Sequence, residues 1–134
     1  MPYILTFTKL VEIVDFRQYI NDSCIGGDVV LDQLLPVLRG HYAAKLQSCQ
    51  EDWGWCVWFK AGLVKLEIAL FTEEPKHFHF KVLLTSYRPR WLLTDTIEDS
   101  TELELLRKLV VQVLTHWSVT ALTVQQVNKT YLPI

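Results

Sequence analysis

Apolar and polar positions alternate most clearly between residues 53 and 85, where they predict three β-strands. The alternation runs through residues 53–59, 63–71 and 78–85, and a two-residue period is typical of strands that bury one face. Lys60-Ala61-Gly62 separates the first two runs, and a three-residue loop with a left-handed glycine is a common hairpin connection. A turn over residues 72–76 separates the second run from the third. We therefore predict an antiparallel unit of three strands.

The predicted hairpin assigns each residue of these strands to a face. If Phe59 pairs with Leu63, the even-numbered residues of all three strands share one face, which is the apolar one and the predicted core. That face carries Cys56, Trp58, Val64, Leu66, Ile68, Leu70, Phe78, Phe80, Val82 and Leu84. The other face carries Trp53, Trp55, Phe59, Lys65, Glu67, Phe71, His79 and Lys81. This second face is too polar for a core and too aromatic for an ordinary solvated surface, which indicates a binding surface.

Two further segments have helical periodicity. Apolar residues at positions 30, 31, 34, 35 and 38 predict a first helix with Asp28 as its N-cap. Pro36 and Gly40 predict a kink or a break in that helix, because proline lacks the backbone donor and glycine has low helix propensity. An apolar stripe predicts a second helix over residues 101–117, where Thr101 and Glu104 have the spacing of a capping box.

The order of predicted elements indicates the fold class. Short strands at residues 3–8 and 119–127 flank the segments described so far, a helical turn is predicted over residues 15–20, and a short strand resumes at residues 91–93. The resulting order is β-α-β-β-β-α-β. Consecutive strands joined by short turns form antiparallel sheets, and two amphipathic helices suit one covered face. We predict a single α+β domain over residues 1–134, a two-layer sandwich of a mainly antiparallel sheet with both helices on one face.

Composition and charge narrow the functional classes. The net charge of −2 provides no bulk attraction to nucleic acid or to an anionic membrane. No apolar run approaches the ~20 residues of a membrane span, and no basic region precedes an apolar run at the N-terminus. The three cysteines lack CxxC spacing, which argues against a disulfide framework and against a cysteine zinc site. We therefore expect a cytoplasmic protein with reduced thiols, no cofactor and no bound metal.

The best candidate for a catalytic or anion-binding site precedes the first helix. Cys24, Gly26, Gly27 and Asp28 lie where a helix N-terminus could bind an anion or lower a thiol pKa. The two glycines fit a tight turn into a capped helix equally well. A cysteine nucleophile also needs a base, and no motif selects one from His41, His77, His79 and His116. We predict that Cys24 is not a nucleophile, and a small Cys24-based enzyme stays the first alternative.

Two other clusters support weaker hypotheses. His77 and His79 have the spacing of a metal-binding pair that Glu73 or Glu67 could complete, but two partly exposed histidines beside a turn explain them better. Tyr87, Arg88 and Arg90 form a small basic and aromatic cluster next to Trp91. This cluster makes a nucleic-acid or nucleotide binder the second alternative, although such binding normally needs more positive charge.

Three strings carry a resemblance to known sequences. Gln50-Glu51-Asp52-Trp53-Gly54-Trp55 and Arg90-Trp91-Leu92-Leu93, with Ile25-Gly26-Gly27-Asp28-Val29-Val30 upstream, resemble small bacterial proteins of unassigned activity. In size and architecture the chain is also similar to the cytosolic immunity proteins that neutralise polymorphic bacterial toxins. The resemblance implies a bacterial cytosolic protein with a protein partner, and it identifies no functional residue.

The sequence as a whole favours a non-catalytic protein-binding module over an enzyme. Aromatic residues and arginine anchor typical interfaces, and interleaved lysine and glutamate residues orient the partner. The predicted binding residues are Trp53, Trp55, Lys65, Glu67, Phe71 and Arg90. The partner would be another protein, as for an immunity or inhibitor protein, or a second copy in a homodimer. Cover of the two tryptophans by the N-terminal segment of the same chain is the competing interpretation.

Overall fold

Tight antiparallel connections organise the chain into one sheet covered by two helices. The computed structural model describes residues 1–43, 45–73 and 78–134. Within these ranges the elements are β1 (Tyr3–Thr8), α1 (Gly27–His41), β2 (Gln47–Glu51), β3 (Gly54–Ala61), β4 (Val64–Thr72), β5 (His79–Arg90), β6 (Leu93–Ile97), α2 (Thr101–His116) and β7 (Thr120–Gln126). Single 3-10 turns at Phe16–Gln18 and Asp22–Cys24 precede α1.

The strand order is β2-β3-β4-β5-β1-β7, with β6 paired to β5 beyond the main path. All pairs are antiparallel, and the N-terminal strand β1 lies between β5 and β7. The predicted α+β sandwich is confirmed. One unpredicted strand, β2, has a polar sequence without an apolar face. The short strand predicted at residues 91–93 begins later, because Trp91 lies in an exposed turn and β6 covers Leu93–Ile97.

The core forms between the helices and one face of the sheet. A single cluster of buried residues joins β1, β3, β4 and β5 to the apolar stripes of α1 and α2. β4 alternates strictly between buried and partly exposed positions, and β5 does so over its first half. The predicted inward positions of these two strands are confirmed, with Val64, Leu66, Ile68, Leu70, Phe80, Val82 and Leu84 all buried. Phe78 precedes β5 and packs against the same core.

The predicted face of β3 is wrong. The hairpin turns over Gly62 and Leu63, so that Ala61 pairs with Val64 and Phe59 pairs with Leu66 rather than with Leu63. Gly62 occupies the first central position with φ of 61°, the placement of glycine in type II′ hairpin turns. A register shift of three residues is odd, and an odd shift moves every side chain of a strand to the opposite face. The helix-covered residues of β3 are therefore Trp55, Val57, Phe59 and Ala61.

The helix termini also differ from the predicted caps. Gly26, with φ of 82°, is the N-cap of α1, whereas Asp28 lies in the first turn. The helix continues through Pro36 and Gly40 to His41, so the expected break is absent. At α2 the N-cap is Ser100, whose side chain accepts from the Leu103 backbone N–H at 3.0 Å, and not Thr101.

Neither helix, within the ranges given above, has the length and apolar character that spanning a membrane demands. α1 and α2 instead bury one stripe each against the sheet and expose the other side. This arrangement leaves the second face of the sheet without helical cover. That second face contains the candidate site.

Candidate functional site

We call the face of the sheet opposite the helices the open face. It is built from the residues that alternate with the core positions of β3, β4 and β5. Cross-strand pairing places Trp58, Glu67 and Thr85 in one row across β3, β4 and β5, and Cys56, Ala69 and Leu83 in the next row. The open face comprises Cys56, Trp58, Lys60, Lys65, Glu67, Ala69, Phe71, His79, Lys81, Leu83, Thr85 and Tyr87.

A cavity of about 480 Å³ lies on the open face. Its floor is formed by side chains of β4 and β5, and its walls come from segments outside the sheet. The lining residues are Ser23, Trp53, Glu67, Ala69, Phe71, Leu83 and Tyr131. The lining therefore combines three aromatic rings and two aliphatic side chains with one carboxylate and the hydroxyls of Ser23 and Tyr131. The volume falls within the range of sites that bind small molecules or single protruding side chains.

The C-terminal segment, residues 127–134, supplies one wall of this cavity. The buried Val127 anchors the segment by donating its backbone N–H to the Pro2 carbonyl at 2.9 Å. The Asn128 carboxamide oxygen accepts from the backbone N–H groups of Thr130 and Leu132 at 2.9 and 3.0 Å, which closes a turn. This turn places the Tyr131 hydroxyl 3.4 Å from Thr85 Oγ1.

Two lysines on the open face, Lys65 and Lys81, lie against aromatic rings. Lys65 Nζ is 5.3 Å from the ring centroids of both Trp58 and Tyr87. Lys81 Nζ is 5.9 Å from the Phe71 centroid and 3.6 Å from a Glu73 carboxylate oxygen. Burial, followed by the hydrogen bond with Tyr131, raises the pKa of the Tyr87 phenol, which therefore stays protonated at neutral pH. Ammonium groups over ring faces gain modest stabilisation and hold the rings in place.

Glu67 is the acidic residue of the cavity. Its Oε1 accepts from the Cys56 thiol at 3.5 Å. Among ion pairs formed by the described residues, none includes Glu67 or Lys65. These two opposite charges, two residues apart on β4, are thus available to a partner. The cavity offers apolar contact at its walls and a carboxylate at its floor.

Four of the predicted binding residues come together at this site. Trp53, in the β2–β3 turn, lines the cavity and is 44% exposed, and Lys65, Glu67 and Phe71 lie on the open face. Sequence reasoning missed Trp58, which was assigned to the core but is 38% exposed on the open face. It also missed the C-terminal Tyr131, Ser23, Ala69 and Leu83.

Trp55 and Arg90 do not belong to the cavity. Trp55 points to the helix-covered side, where its indole Nε1 donates to the Cys24 carbonyl at 2.8 Å. Its ring fills the space beside Gly27, because a Cβ there would lie 2.2 Å from Trp55 Cδ1. Arg90 lies seven residues beyond Leu83, roughly 20 Å along β5, where Nη1 donates to Thr96 Oγ1 at 3.3 Å.

The geometry around Cys24 disfavours a reactive thiol. Cys24 is fully buried, and its Sγ lies 3.2 Å from the Glu51 carbonyl oxygen. Burial raises the pKa of this thiol, which is the opposite of what a nucleophile needs. Asp28 accepts from the Tyr19 hydroxyl at 2.7 Å, and the glycines admit the rings of Phe80 and Trp55. Neighbouring side chains therefore fill the alternative thiol or anion site, which is formed by Cys24, Gly26, Gly27 and Asp28.

The residues of the remaining candidate clusters form ion pairs and hydrogen bonds with their own neighbours. Arg88 pairs with Glu98 at 2.9 Å. His79 donates or accepts at Thr8 Oγ1, 2.9 Å away, and lies 3.2 Å from Glu73. His77 and most of the predicted turn over residues 72–76 lie outside the described residues. Within the described part of the chain, no group of three or more histidine, cysteine or acidic residues has an arrangement that could hold a metal ion.

Comparison with known proteins adds no family to this geometry. No protein-family model, no curated protein and no solved structure matches the chain.

Proposed function

We propose that this protein is a non-catalytic binding module that presents its open face to a protein partner. The observation that carries the proposal is the cavity, which is lined by rings from three separate segments and by the Glu67 carboxylate. Rings around a concave centre are the arrangement in which interface anchors contribute most of their binding energy. A protruding side chain of the partner would enter this cavity and exclude water from it.

The charge pattern supports a protein rather than a nucleic acid as the partner. Lys60, Lys65 and Lys81 are accompanied on the same side by Glu67 and Glu73, so the formal excess is a single positive charge. A phosphate backbone requires several unopposed cations. Alternating charges at the border of an aromatic centre instead fix the orientation of a protein partner and speed its association.

The aromatic content of the open face also favours the binding of a partner there. Trp53 and Trp58 remain partly exposed at 44% and 38%, on a surface that also carries Phe71 and Tyr131. Contiguous apolar patches of this kind are unfavourable in water and mark interaction sites. Immunity proteins, which this chain resembles in size and architecture, neutralise toxins by binding them, and a bacterial cytosolic inhibitor of this class is our specific proposal.

A site-specific cross-linker tests the proposal. A photo-activated amino acid replaces Trp58 in one variant and Trp91 in a matched control, since Trp91 is 90% exposed but lies in the β5–β6 turn. We expect position 58 to cross-link one protein in cells of the native host, and position 91 to cross-link none. The cross-linked protein, once purified, should bind wild type, and Trp58→Glu should weaken that binding at least tenfold.

Other outcomes of the same experiment are informative. If position 58 cross-links a second copy of the chain, the face is a homodimer interface, and sedimentation should show a dimer that Trp58→Glu converts to a folded monomer. If neither position cross-links and Trp58→Glu changes neither assembly nor binding, the open face is not an interface. The proposal is then wrong.

A further inference from the structure

Two cysteines face each other across the β2–β3 pair. Cys49 and Cys56 are direct register partners, and both project on the open-face side of the sheet. Directly opposed residues in antiparallel strands have Cα atoms about 4.5–5.5 Å apart, which lies inside the 4.4–6.8 Å range of disulfides. β2 was not predicted from the sequence, so this pairing could not be anticipated from cysteine spacing.

The two thiols differ in access to solvent. Cys49 is exposed on the edge strand, and its Sγ donates to Glu51 Oε1 at 3.1 Å. Cys56 is buried, and its Sγ donates to Glu67 Oε1 at 3.5 Å. A small reagent can therefore reach Cys49 first, while Cys56 is reached through its neighbour.

The carboxylates keep both thiols protonated. The hydrogen bond to Glu51 raises the pKa of Cys49, and burial together with Glu67 raises the pKa of Cys56 to about 12. Thiolates are the reactive form, so the pair is slow to oxidise at neutral pH and reacts faster as the pH increases. Such a pair is a site for a sustained change in redox state rather than for rapid turnover.

The position of β2 makes closure of a bridge feasible. β2 is an edge strand of five residues that pairs on one side only. Opposed Cβ atoms lie about 4.5–5.5 Å apart, and a disulfide needs about 3.8 Å, so the strands must approach by roughly 1 Å. The shift displaces no second strand, although the Gln50 side chain, which accepts from the Ile20 N–H at 2.8 Å and donates to the Gln18 carbonyl at 3.2 Å, must accommodate it.

We propose that Cys49 and Cys56 form a dithiol site that a low-molecular-weight disulfide, such as oxidised glutathione, converts to an intramolecular disulfide. The Cys49 thiolate attacks one sulfur of the reagent, which forms a mixed disulfide and releases one glutathione thiol. Cys56 then loses its proton to solvent and attacks Cys49 Sγ, and the second glutathione leaves as a thiol. The two cysteines are oxidised, and the reagent is reduced to two thiols.

Cys56 belongs to the open face, so the dithiol site lies on the surface of the proposed function, but its chemistry needs no partner. Oxidation removes the Cys56 S–H that donates to Glu67 in the reduced protein. The bridge is tested in the purified protein, where no partner covers Cys56. The two proposals therefore stand or fall independently.

Mass spectrometry of the intact protein tests the site. Reduced wild type, Cys49→Ser, Cys56→Ser and Cys24→Ser are incubated with oxidised glutathione at a pH of about 8.5, near the pKa of a free thiol. We expect wild type and the matched control Cys24→Ser to lose two hydrogen atoms and to retain no glutathione. Cys56→Ser should stop with one glutathione on Cys49, and Cys49→Ser should remain unmodified.

Peptide mapping and thermal melting complete the test. Non-reducing digestion should join the peptides that contain residues 49 and 56, and the melting temperature of oxidised wild type should rise by several degrees. Retention of glutathione by wild type to the same extent as by Cys56→Ser would show that the two sulfurs do not meet. A bridge that includes Cys24, or a wild type that reacts only after unfolding in urea, would likewise overturn the proposal.

Discussion

The two faces of the sheet are built by the same strands but contain different chemistry. On β4, the fully buried Leu66, Ile68 and Leu70 alternate with Lys65, Glu67 and Phe71. The first set packs beneath the helices, and the second lies on the open face. Substitutions beneath the helices should therefore act on unfolding, whereas substitutions on the open face should act on association.

Adjacent residues of β3 provide the largest expected contrast. Phe59 is fully buried in the core, and Trp58, its neighbour, is 38% exposed on the open face. We expect Phe59→Ala to lower the free energy of unfolding by about 3–5 kcal/mol. Trp58→Ala should lower it by about 1 kcal/mol, because little area is uncovered and one contact with Lys65 is lost. Urea denaturation followed by circular dichroism measures both values, and equal losses would contradict the register of β3.

This contrast also explains which faces could be predicted from the sequence. On β4 the charged residues Lys65 and Glu67 mark one face, so only one orientation of the strand buries its apolar set. β3 has apolar residues on both faces, including Trp55, Val57 and Phe59 on one and Cys56 and Trp58 on the other. Its orientation depended on the turn alone, and the Gly62-Leu63 turn is one residue shorter than predicted.

The candidate site was predicted in part for similar reasons. Residues on β4 were placed correctly because their parity is unambiguous. The C-terminal segment has no periodicity that would bring Tyr131 onto the open face, since hydrogen bonds of Asn128 shape it. The polar sequence of β2 concealed the cross-strand partner of Cys56. Contacts between segments distant in sequence carry no signal in a local pattern.

The packing of Trp55 against the start of α1 gives the next largest effect. A Cβ at Gly27 would lie 2.2 Å from the indole ring, so Gly27→Ala should destabilise the fold by about 1–3 kcal/mol. In a Trp55→Ala background the ring is absent, and the same substitution should cost much less. A double-mutant cycle by urea denaturation measures the coupling. Strict additivity of the two substitutions would show that Trp55 does not contact α1, and that it belongs with Trp58 on the open face.

A buried polar pair on the helix-covered face should have a smaller effect. Ser100 Oγ caps α2 through the Leu103 N–H and lies 2.8 Å from Oγ of the fully buried Ser86. Ser100→Ala should lower the free energy of unfolding by about 1–2 kcal/mol, because it removes a cap and leaves a buried hydroxyl unpaired. Thr101→Ala is the matched control and should be nearly neutral. A larger loss of melting temperature in Thr101→Ala than in Ser100→Ala would show that Thr101 is the N-cap.

The smallest expected effect is a pH dependence at the margin of the helix-covered face. Glu104 on α2 accepts from the Tyr3 hydroxyl and pairs with Arg107 at 3.1 Å. The hydrogen bond from Tyr3, followed by that from Arg107, lowers the pKa of Glu104 below its ordinary value. A carboxyl whose folded pKa is lowered stabilises the fold above its unfolded pKa of about 4.3, and this contribution is lost as the pH falls through the folded pKa. Wild type should therefore exceed Glu104→Gln in urea midpoint at pH 7, and the difference should shrink below about pH 4.

Glu102→Gln, in the same helical turn, controls for the loss of a negative charge near the helix N-terminus. A difference in urea midpoint between wild type and Glu104→Gln that stays constant from pH 7 to about pH 3 would contradict the prediction. It would show that ionisation of Glu104 contributes nothing to stability, so that this margin is as independent of pH as the uncharged core beside it.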